Sequence, residues 1–140
     1  MRRAPLVVLD TNVVVSSQIN PFGAPGRIWD LVTSRQLRLA YDDRVLAEYN
    51  EVLARPKFNF QADRIDALFA IFLFQESVTT SPWPHPSLPD PDDVMFLEVA
   101  KAAGCSLVTG NLKDFPKKLC DGVEVFSPDA WFKAYIGNAI

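Results

Sequence analysis

Short, continuous apolar runs alternate along this chain with longer segments whose apolar residues recur at helical spacing, and few folds accommodate that alternation. The first run, residues 5–9, is rich in β-branched side chains and ends at Asp10. This pattern is typical of a parallel strand buried on both faces. Further strands are predicted at residues 37–41, 106–109 and 123–126. Strands alternating with helices predict an α/β fold, a three-layer α/β/α sandwich around a central, mainly parallel sheet.

The boundaries of the predicted helices are marked by residues that cap or break helices. Pro56 stops the helix that follows residues 37–41, and Gly104 ends the helix that precedes residues 106–109, as these residue types commonly do. The helices are predicted over residues 25–36 and 62–74, after Asp42 or Asp43, after Asp92 or Asp93, and from Ser127 and Pro128 onward.

A proline-rich segment interrupts this alternation. Residues 81–91 contain five prolines, which excludes a helix or a central strand. We predict a stiff, extended connector on the surface and assign His85 within it no catalytic role. The connector is too short to join two domains of useful size, and a length of 140 residues suits one domain. The prediction is therefore a single domain over residues 1–140.

Composition excludes several classes of protein. The chain is 49% hydrophobic, enough to form a core without metal or disulfide crosslinks. Its 14 basic and 17 acidic residues give a net charge of −3, which argues against a polycation that coats nucleic acid but leaves a local basic patch open. Cys105 and Cys120 are too few for a disulfide framework and lack metal-binding spacing, so buried thiols are expected.

We expect that the N-terminal residues do not form a signal peptide. The apolar run that follows Arg2 and Arg3 is short and ends at Asp10, with no small-residue cleavage site. No apolar stretch approaches the roughly 20 residues needed to span a bilayer. We therefore predict a cytoplasmic protein with no membrane partner.

Polar residues follow two of the predicted strands at the point where each strand ends. Ligands of parallel α/β sheets bind at the carboxyl ends of the strands, so these residues are candidates for a functional site. They are Asp10, Thr11 and Asn12 after the first strand, and Thr109, Gly110, Asn111 and Asp114 after residues 106–109.

Carboxylates elsewhere in the chain point to a cation. Asp90, Asp92 and Asp93 lie at a helix entrance, and residues 65–100 contain no Lys or Arg. Because like charges at close range repel, a bound divalent cation fits this cluster, and oxygen ligands favour Mg²⁺ or Mn²⁺. The simpler alternatives stay open: the aspartates as helix caps, Glu48 as a solvated helix residue, and Asn12 and Asn111 as turn formers.

Four segments resemble the motifs of PIN domains and occur in that family's order. They are VVLDTN at residues 7–12, LAEYNEVLARPKF at 46–58, PDPDDVMFLEVA at 89–100 and LVTGNLKDFP at 107–116. The closest similarity is to the group described as toxin components of prokaryotic toxin–antitoxin systems, relatives of VapC-type toxins. The resemblance covers nearly the whole chain and implies a metal-dependent ribonuclease.

The resemblance also implies roles for individual residues. Asp10, Glu48 and Asp93 match the family's metal-binding, catalytic acids, which would hold one or two Mg²⁺ or Mn²⁺ ions. The fourth position departs from the family, because many PIN domains have Asp where this chain has Asn111. Either Asp114 takes its place or Asn111 binds metal through its amide oxygen. The residues implied to shape the site are Thr11, Asn12, Ser16, Thr109 and Asp90.

RNA in an acidic pocket calls for a cationic rim that contacts phosphates without reading sequence. A solvated charged surface explains each candidate equally well. The candidates are Arg27, Arg55, Lys57, Lys113, Lys117 and Lys118.

Rival functions are weaker. Haloacid-dehalogenase-like phosphatases place a second Asp two residues after the first, where this chain has Asn12, and receiver domains need a Lys after a late strand. A non-catalytic PIN-like module that binds RNA or protein stays open because of Asn111. The resemblance further implies an antitoxin partner and a homodimer. Residues 62–74 and Trp83 are possible docking surfaces, although core packing explains most of them.

Overall fold

A five-stranded, wholly parallel sheet forms the centre of the part of the chain that the structure describes. The computed structural model describes residues 3–81, 88–138 and 140. The strands are β1 Leu6–Leu9, β2 Arg38–Tyr41, β3 Glu76–Ser77, β4 Ser106–Val108 and β5 Val125–Phe126. They lie side by side in the order β3–β2–β1–β4–β5. The predicted α/β class with a parallel sheet is confirmed.

Helices cover both faces of this sheet. Successive residues of a strand point to opposite faces, yet Val7, Val8 and Leu9 are all 1% exposed or less. Helix α5 packs against β1, β2 and β4, while α1 packs on α2 and α2 on α6. The helices are α1 Thr11–Ile19, α2 Ala24–Thr33, α3 Asp43–Leu53, α4 Ala62–Ile71, α5 Val94–Ala103 and α6 Pro128–Ile136.

The strand order creates a crevice at one edge of the sheet. Strand β1 pairs with β2 on one side and with β4 on the other, and both pairs are parallel. The carboxyl ends of β1 and β4 therefore meet, at the point where the strand order reverses. Ligands of open α/β sheets bind at such a point. We call this side of the molecule the carboxyl edge.

Capping residues set several helix ends as predicted. The Asp42 side chain accepts a hydrogen bond from the Val45 backbone N–H at 3.0 Å and caps α3. Ser127 caps α6 in the same way, and Pro128 occupies the first helical position. Gly104 ends α5 with a φ of +66°, a left-handed conformation that glycine adopts without steric cost.

Some elements differ from the sequence-based predictions. No helix is predicted for residues 11–19, yet α1 forms there. Its three consecutive valines, Val13–Val15, are all buried and show no helical spacing, and β-branched residues are poor helix formers. The helix predicted over residues 62–74 ends at Ile71 and continues as a 3₁₀ turn, Phe72–Phe74. Strand β3 has only two, exposed residues, too few to produce an apolar run.

Part of the proline-rich connector, residues 82–87, lies outside the described residues, and so do Trp83 and His85. Beyond it, Leu88 is buried. Cys120 is buried as predicted, whereas Cys105 is half-buried, and neither forms a disulfide. Within the described ranges, no helix has the length and apolar character needed to cross a bilayer.

Candidate metal centre

Asp10 lies at the crevice, directly after β1 and at the start of α1. Its backbone N–H donates to the Val108 carbonyl at 2.9 Å, which ties it to the end of β4. Its carboxylate oxygen Oδ2 accepts from the Thr109 hydroxyl at 2.7 Å and from the Asn12 amide at 3.3 Å. Asp10 is 6% exposed. These two donors hold a nearly buried carboxylate in one orientation.

Asn12 and Thr109 join the two strand ends that flank the crevice. The Gly110 backbone N–H donates to Asn12 Oδ1 at 2.9 Å, and the Asn111 backbone N–H donates to the Thr109 hydroxyl at 3.0 Å. A Cβ on Gly110 would lie 3.2 Å from Asn12 Oδ1, closer than side chains normally approach. Glycine at this position therefore allows the loop after β4 to lie against Asn12 and Asp10.

Glu48 lies on α3 and reaches the same edge. The Thr11 hydroxyl donates to its carboxylate oxygen Oε2. The neighbouring residue, Tyr49, is 1% exposed, and its hydroxyl donates to the Leu9 carbonyl at the end of β1. Two hydrogen bonds thus fix α3 to the segment that carries Asp10. Tyr49 was not predicted as a site residue, although a tyrosine on the apolar face of a helix generally needs a partner for its hydroxyl.

Asp93 comes from a third segment, the 3₁₀ turn Pro91–Asp93 that leads into α5. Asp90 shapes this turn: its side chain accepts from the Asp92 backbone N–H at 2.9 Å, and its carbonyl accepts from the Asp93 backbone N–H at 3.1 Å. Asp90 and Asp92 are exposed, whereas Asp93 is half-buried. The turn therefore directs Asp93 inward and leaves its neighbour Asp92 in solvent.

Two of these acids, Asp10 and Asp93, have raised pKa values. Burial raises the pKa of Asp93 to about 7, and repulsion from the charges of four other acids adds to the shift. Those acids come from four places in the sequence: Asp10, Asp90, Asp114 and Glu48. Burial likewise raises the pKa of Asp10 to about 6, with a further contribution from Glu48, against the opposing effect of its hydrogen bond from Thr109.

The loop after β4 supplies the last pair of candidates. Asn111 is exposed, and its amide nitrogen donates to Asp114 Oδ2 at 2.8 Å. Asp114 is half-buried at the end of the 3₁₀ turn Leu112–Asp114. Its charge is among those that raise the pKa of Asp93. The amide of Asn111 thus orients Asp114, and the carboxylate of Asp114 carries the negative charge at this corner.

We call Asp10, Glu48, Asp93 and Asp114 the acid cluster. Among the described residues, none of its four carboxylates has a Lys or Arg within salt-bridge distance. All of its donors are oxygens, and the repulsion among them would be relieved by a cation, so the donor chemistry fits Mg²⁺ or Mn²⁺. Within the same ranges, however, no three His, Cys, Asp or Glu side chains are close enough to hold an ion as they stand. Binding would therefore draw the carboxylates inward.

A second group of carboxylates near this edge is neutralised. Arg44 contacts Asp42 Oδ2 and Glu98 Oε1 at 2.7 Å each, and it also donates to the Thr80 hydroxyl at 3.0 Å. Glu98 is only 8% exposed. We call Asp42, Arg44 and Glu98 the arginine cluster. Residues 65–100 contain no Lys or Arg, and the partner of Glu98 lies 54 residues earlier in the chain.

Ser16 and the candidates for the basic rim lie on the surface, and some of the basic side chains contact an acid or an aromatic ring. Ser16 is exposed on α1, one turn beyond Asn12. Arg55 pairs with Glu51 at 2.9 Å, and its pKa is raised by Glu51 first and by Glu48 to a lesser degree. The other rim candidates are Arg27, 5.9 Å from the centre of the Phe132 ring, Lys57, 5.0 Å from that of Phe58, and Lys113, Lys117 and Lys118, all exposed on 3₁₀ turns after β4.

Comparison with known proteins agrees with this geometry. The sequence pattern of the PIN domain matches residues 6–113. The chain belongs to the PIN-domain family. That match includes Asp10, Glu48, Asp93 and Asn111 but ends one residue before Asp114. PIN domains are generally nucleases that use divalent metals, so the family indicates a nuclease and a nucleic-acid substrate.

One relative is an uncharacterized protein of the archaeon Methanocaldococcus jannaschii. It is 30% identical over 108 residues, which cover 75% of this chain and 70% of the relative. Its similarity supports the shared family.

Proposed function

We propose that this protein is a divalent-metal-dependent endoribonuclease whose acid cluster holds one or two Mg²⁺ or Mn²⁺ ions. The observation that supports the proposal most strongly is the convergence of the four acids. They come from four separate segments, and burial raises the pKa of Asp93 to about 7 with further contributions from the charges of Asp10, Asp114 and Glu48. Burying like charges together destabilises a fold unless a ligand compensates for it.

Each acid has a distinct role in this proposal. Asp10, held by Thr109 and Asn12, is the fixed ligand, and Glu48 is held by Thr11. Asp93 is the ligand whose proton must leave, because its pKa lies near neutral pH. A bound divalent ion would lower the pKa of a water molecule and offset charge on the scissile phosphate.

The residue at the fourth acid position of the family, Asn111, determines whether this proposal or its alternative is favoured. Asn111 is neutral, and a neutral amide is a weaker ligand than a carboxylate, which favours a second function: a PIN-like module that binds RNA or a protein without cutting. Against this, Asn111 donates to Asp114 at 2.8 Å, so a carboxylate is present at the same corner. We infer that Asp114 substitutes for the usual acid and that Asn111 positions it.

Cleavage of a mixed RNA pool by purified protein tests the proposal. We would compare Mg²⁺, Mn²⁺ and a chelator, and two variants at adjacent positions, Asp93→Asn and Asp92→Asn. The proposal predicts metal-dependent cutting that falls at least about a hundredfold in Asp93→Asn, a loss on the scale of transition-state interactions. Asp92 is exposed, so Asp92→Asn should cut at the wild-type rate. Cutting that persists in Asp93→Asn, or that needs no metal, would contradict it.

We further propose that the protein is a single-domain, cytoplasmic toxin of a toxin–antitoxin pair that acts as a homodimer. The support is the likeness of its four motifs to those of VapC-type toxins. Induced expression in a bacterial host should arrest growth for the wild type and not for Asp93→Asn. Equal growth of the two strains at equal protein levels would argue against the toxin role while leaving the cleavage test unaffected.

A further inference from the structure

Aromatic and cationic side chains form a column between the end of α3 and the first turn of α4. The Phe58 and Phe60 rings stack with centroids 5.8 Å apart and planes 14° from parallel. The Lys57 ammonium lies over the Phe58 ring and the Arg64 guanidinium over the Phe60 ring, each 5.0 Å from the ring centroid. We call these four residues the aromatic–cation column.

A left-handed residue between the two rings contributes to this arrangement. Asn59 has a φ of +52° and ends the 3₁₀ turn Pro56–Phe58. Asparagine tolerates this conformation better than most residues because its short polar side chain can hydrogen-bond locally. This left-handed residue ends the turn between the two stacked rings.

Core packing alone does not explain the column. Lys57 and Arg64 are exposed, and Phe58 and Phe60 are only half-buried. In the described part of the chain, neither cation has a carboxylate within salt-bridge distance. Two aromatic rings and two unpaired positive charges thus share one stretch of surface. Single-stranded nucleic acid binds to surfaces of this chemistry, with bases on the rings and phosphates on the cations.

Helix α1 connects the column to the acid cluster. At its start, the Thr11 hydroxyl donates to Glu48, and near its end the Gln18 carbonyl accepts from Arg64 Nη2 at 2.7 Å. These two positions are seven residues apart, a rise of about 10 Å along a helix. The charge of Glu48 also contributes to the raised pKa of Arg55, which lies just after α3. One helix therefore contacts both the column, through Arg64, and the acid cluster, through Glu48.

We propose that the aromatic–cation column binds the single-stranded RNA substrate a few nucleotides away from the bond that is cut, which rests on the proposed ribonuclease function. A phosphate draws the Lys57 ammonium off the Phe58 ring, and a base stacks on the ring face that it leaves. Arg64, at the other end of the column, contacts a phosphate further along the same strand. Binding of this kind tolerates any base, since every base has a flat face.

The charge of the column favours RNA over an apolar protein surface. An apolar partner would remove water from Lys57 and Arg64 without supplying hydrogen-bond acceptors in its place, and desolvating an unpaired charge is unfavourable. Phosphates supply the missing negative charge. A second copy of this chain or an acidic protein segment is the competing occupant, and it is distinguished by the experiment below.

Fluorescence anisotropy with a short, labelled single-stranded RNA tests the proposal. The parent protein is Asp93→Asn in chelator, so that RNA is bound but not cut, and the variants added to it are Phe58→Leu, Phe60→Leu, Lys57→Gln and Arg64→Gln. A second pair of a cation and an aromatic ring serves as the matched control. Arg35, in the loop before β2, has its guanidinium 5.5 Å from the centre of the Phe74 ring, in the turn after α4, and both residues are exposed. Arg35→Gln and Phe74→Leu therefore remove the same chemistry elsewhere.

Each Phe→Leu variant of the column should bind RNA about tenfold more weakly than the parent. Affinity falls as salt rises, and Lys57→Gln and Arg64→Gln should each make the slope of log affinity against log salt less steep by roughly 0.7. The control variants should stay within about twofold of the parent. Since the two cations are exposed, their variants should fold even if a Phe variant proves unstable in a thermal melt.

Three results would overturn the proposal: column variants that bind as the parent does, control variants that lose as much affinity, or a parent that binds no RNA. Column variants that change the sedimentation coefficient but not RNA affinity would identify a protein contact instead. Because binding is measured without metal or cleavage, failure of the nuclease proposal would be seen separately, in the cleavage assay.

Discussion

The acid cluster and the arginine cluster place carboxylates near the same edge of the sheet under opposite conditions. In the arginine cluster, one guanidinium contacts Asp42 and Glu98 at 2.7 Å each. In the acid cluster, none of the carboxylates has such a partner in the described part of the chain, and the pKa of Asp93 rises to about 7. Carboxylates that serve the fold are paired within the chain. Those left unpaired carry an electrostatic cost that a ligand from outside can relieve.

Removing the arginine should give the largest change in stability. Arg44→Ala leaves Asp42 and the nearly buried Glu98 without their cation, and breaking a buried pair costs several kcal/mol. Because Arg44 itself is 47% exposed, we expect a smaller loss, about 2–3 kcal/mol in the free energy of unfolding. Urea denaturation measures it.

The exposed pair Arg55–Glu51 is the matched control. Arg55→Ala removes an i,i+4 pair that is 47% and 61% exposed, and such exposed pairs contribute little to stability. Equal losses for Arg44→Ala and Arg55→Ala would show that the arginine cluster is not a buried structural pair.

The next largest effect is expected at the hydrogen bond that joins α3 to β1. Tyr49→Phe removes the donor to the Leu9 carbonyl in a site that is 1% exposed, which leaves a buried acceptor unsatisfied and costs about 1–2 kcal/mol. Because Tyr49 adjoins Glu48, the variant should also weaken metal binding relative to Tyr41→Phe, whose hydroxyl donates to the Phe72 carbonyl at 3.2 Å. Metal affinity equal in the two variants would exclude a positioning role for Tyr49.

The smallest expected change in stability is a gain rather than a loss, and it comes from Asp93→Asn. The pKa values of Asp10 and Asp93 are raised in the fold, to about 6 and about 7. In their protonated form, these two carboxyl groups favour the folded state. Their contribution to the free energy of unfolding is complete below pH 3.8, the pKa of an aspartate in the unfolded chain, and is lost as pH rises through 6 and 7. The metal-free protein should lose stability over this range. Asp93→Asn should reduce that loss and stabilise the metal-free protein at pH 8 by about 1 kcal/mol, after allowance for solvent screening of a half-buried group.

Chemical denaturation in chelator across this pH range measures the effect, with Asp92→Asn as the control. Asp92 is exposed, so its variant should follow the wild-type curve. A metal-free wild type that becomes more stable between pH 5 and pH 8, against the shifts of Asp10 and Asp93, would mean that the acid cluster is already neutralised.

The two clusters also show how far sequence could predict this molecule. The apolar runs predicted β1, β2 and β4, since a strand buried on both faces has a local signature. The strand-end rule and the family motifs pointed to Asp10, Glu48 and Asp93, and in the fold the charges of Asp10 and Glu48 act on Asp93; their role as metal ligands stays a prediction. Arg44 was missed because its pairing with Glu98 spans 54 residues. Helix α1 was missed because a helix buried on most sides loses the apolar periodicity that identifies helices.

The resemblance to PIN domains selected Asp93 over Asp92, and the structure adds a physical difference between the two. Both match the sequence pattern of a helix cap, and adjacent residues cannot be told apart by periodicity. Only the 3₁₀ turn capped by Asp90 shows that Asp93 is half-buried while Asp92 is exposed. Sequence thus predicted the segment and the candidate residue, and local backbone geometry gives a physical reason to prefer Asp93 over Asp92.

Thermal unfolding with and without divalent metal tests most directly whether the unpaired acids form a metal site. Wild type and Asp92→Asn should unfold at a higher temperature in Mn²⁺ or Mg²⁺ than in chelator, because a ligand that binds only the folded state stabilises it. Asp93→Asn should show little of that increase. An unfolding temperature that metal leaves unchanged in the wild type, or raises equally in Asp93→Asn, would contradict the account.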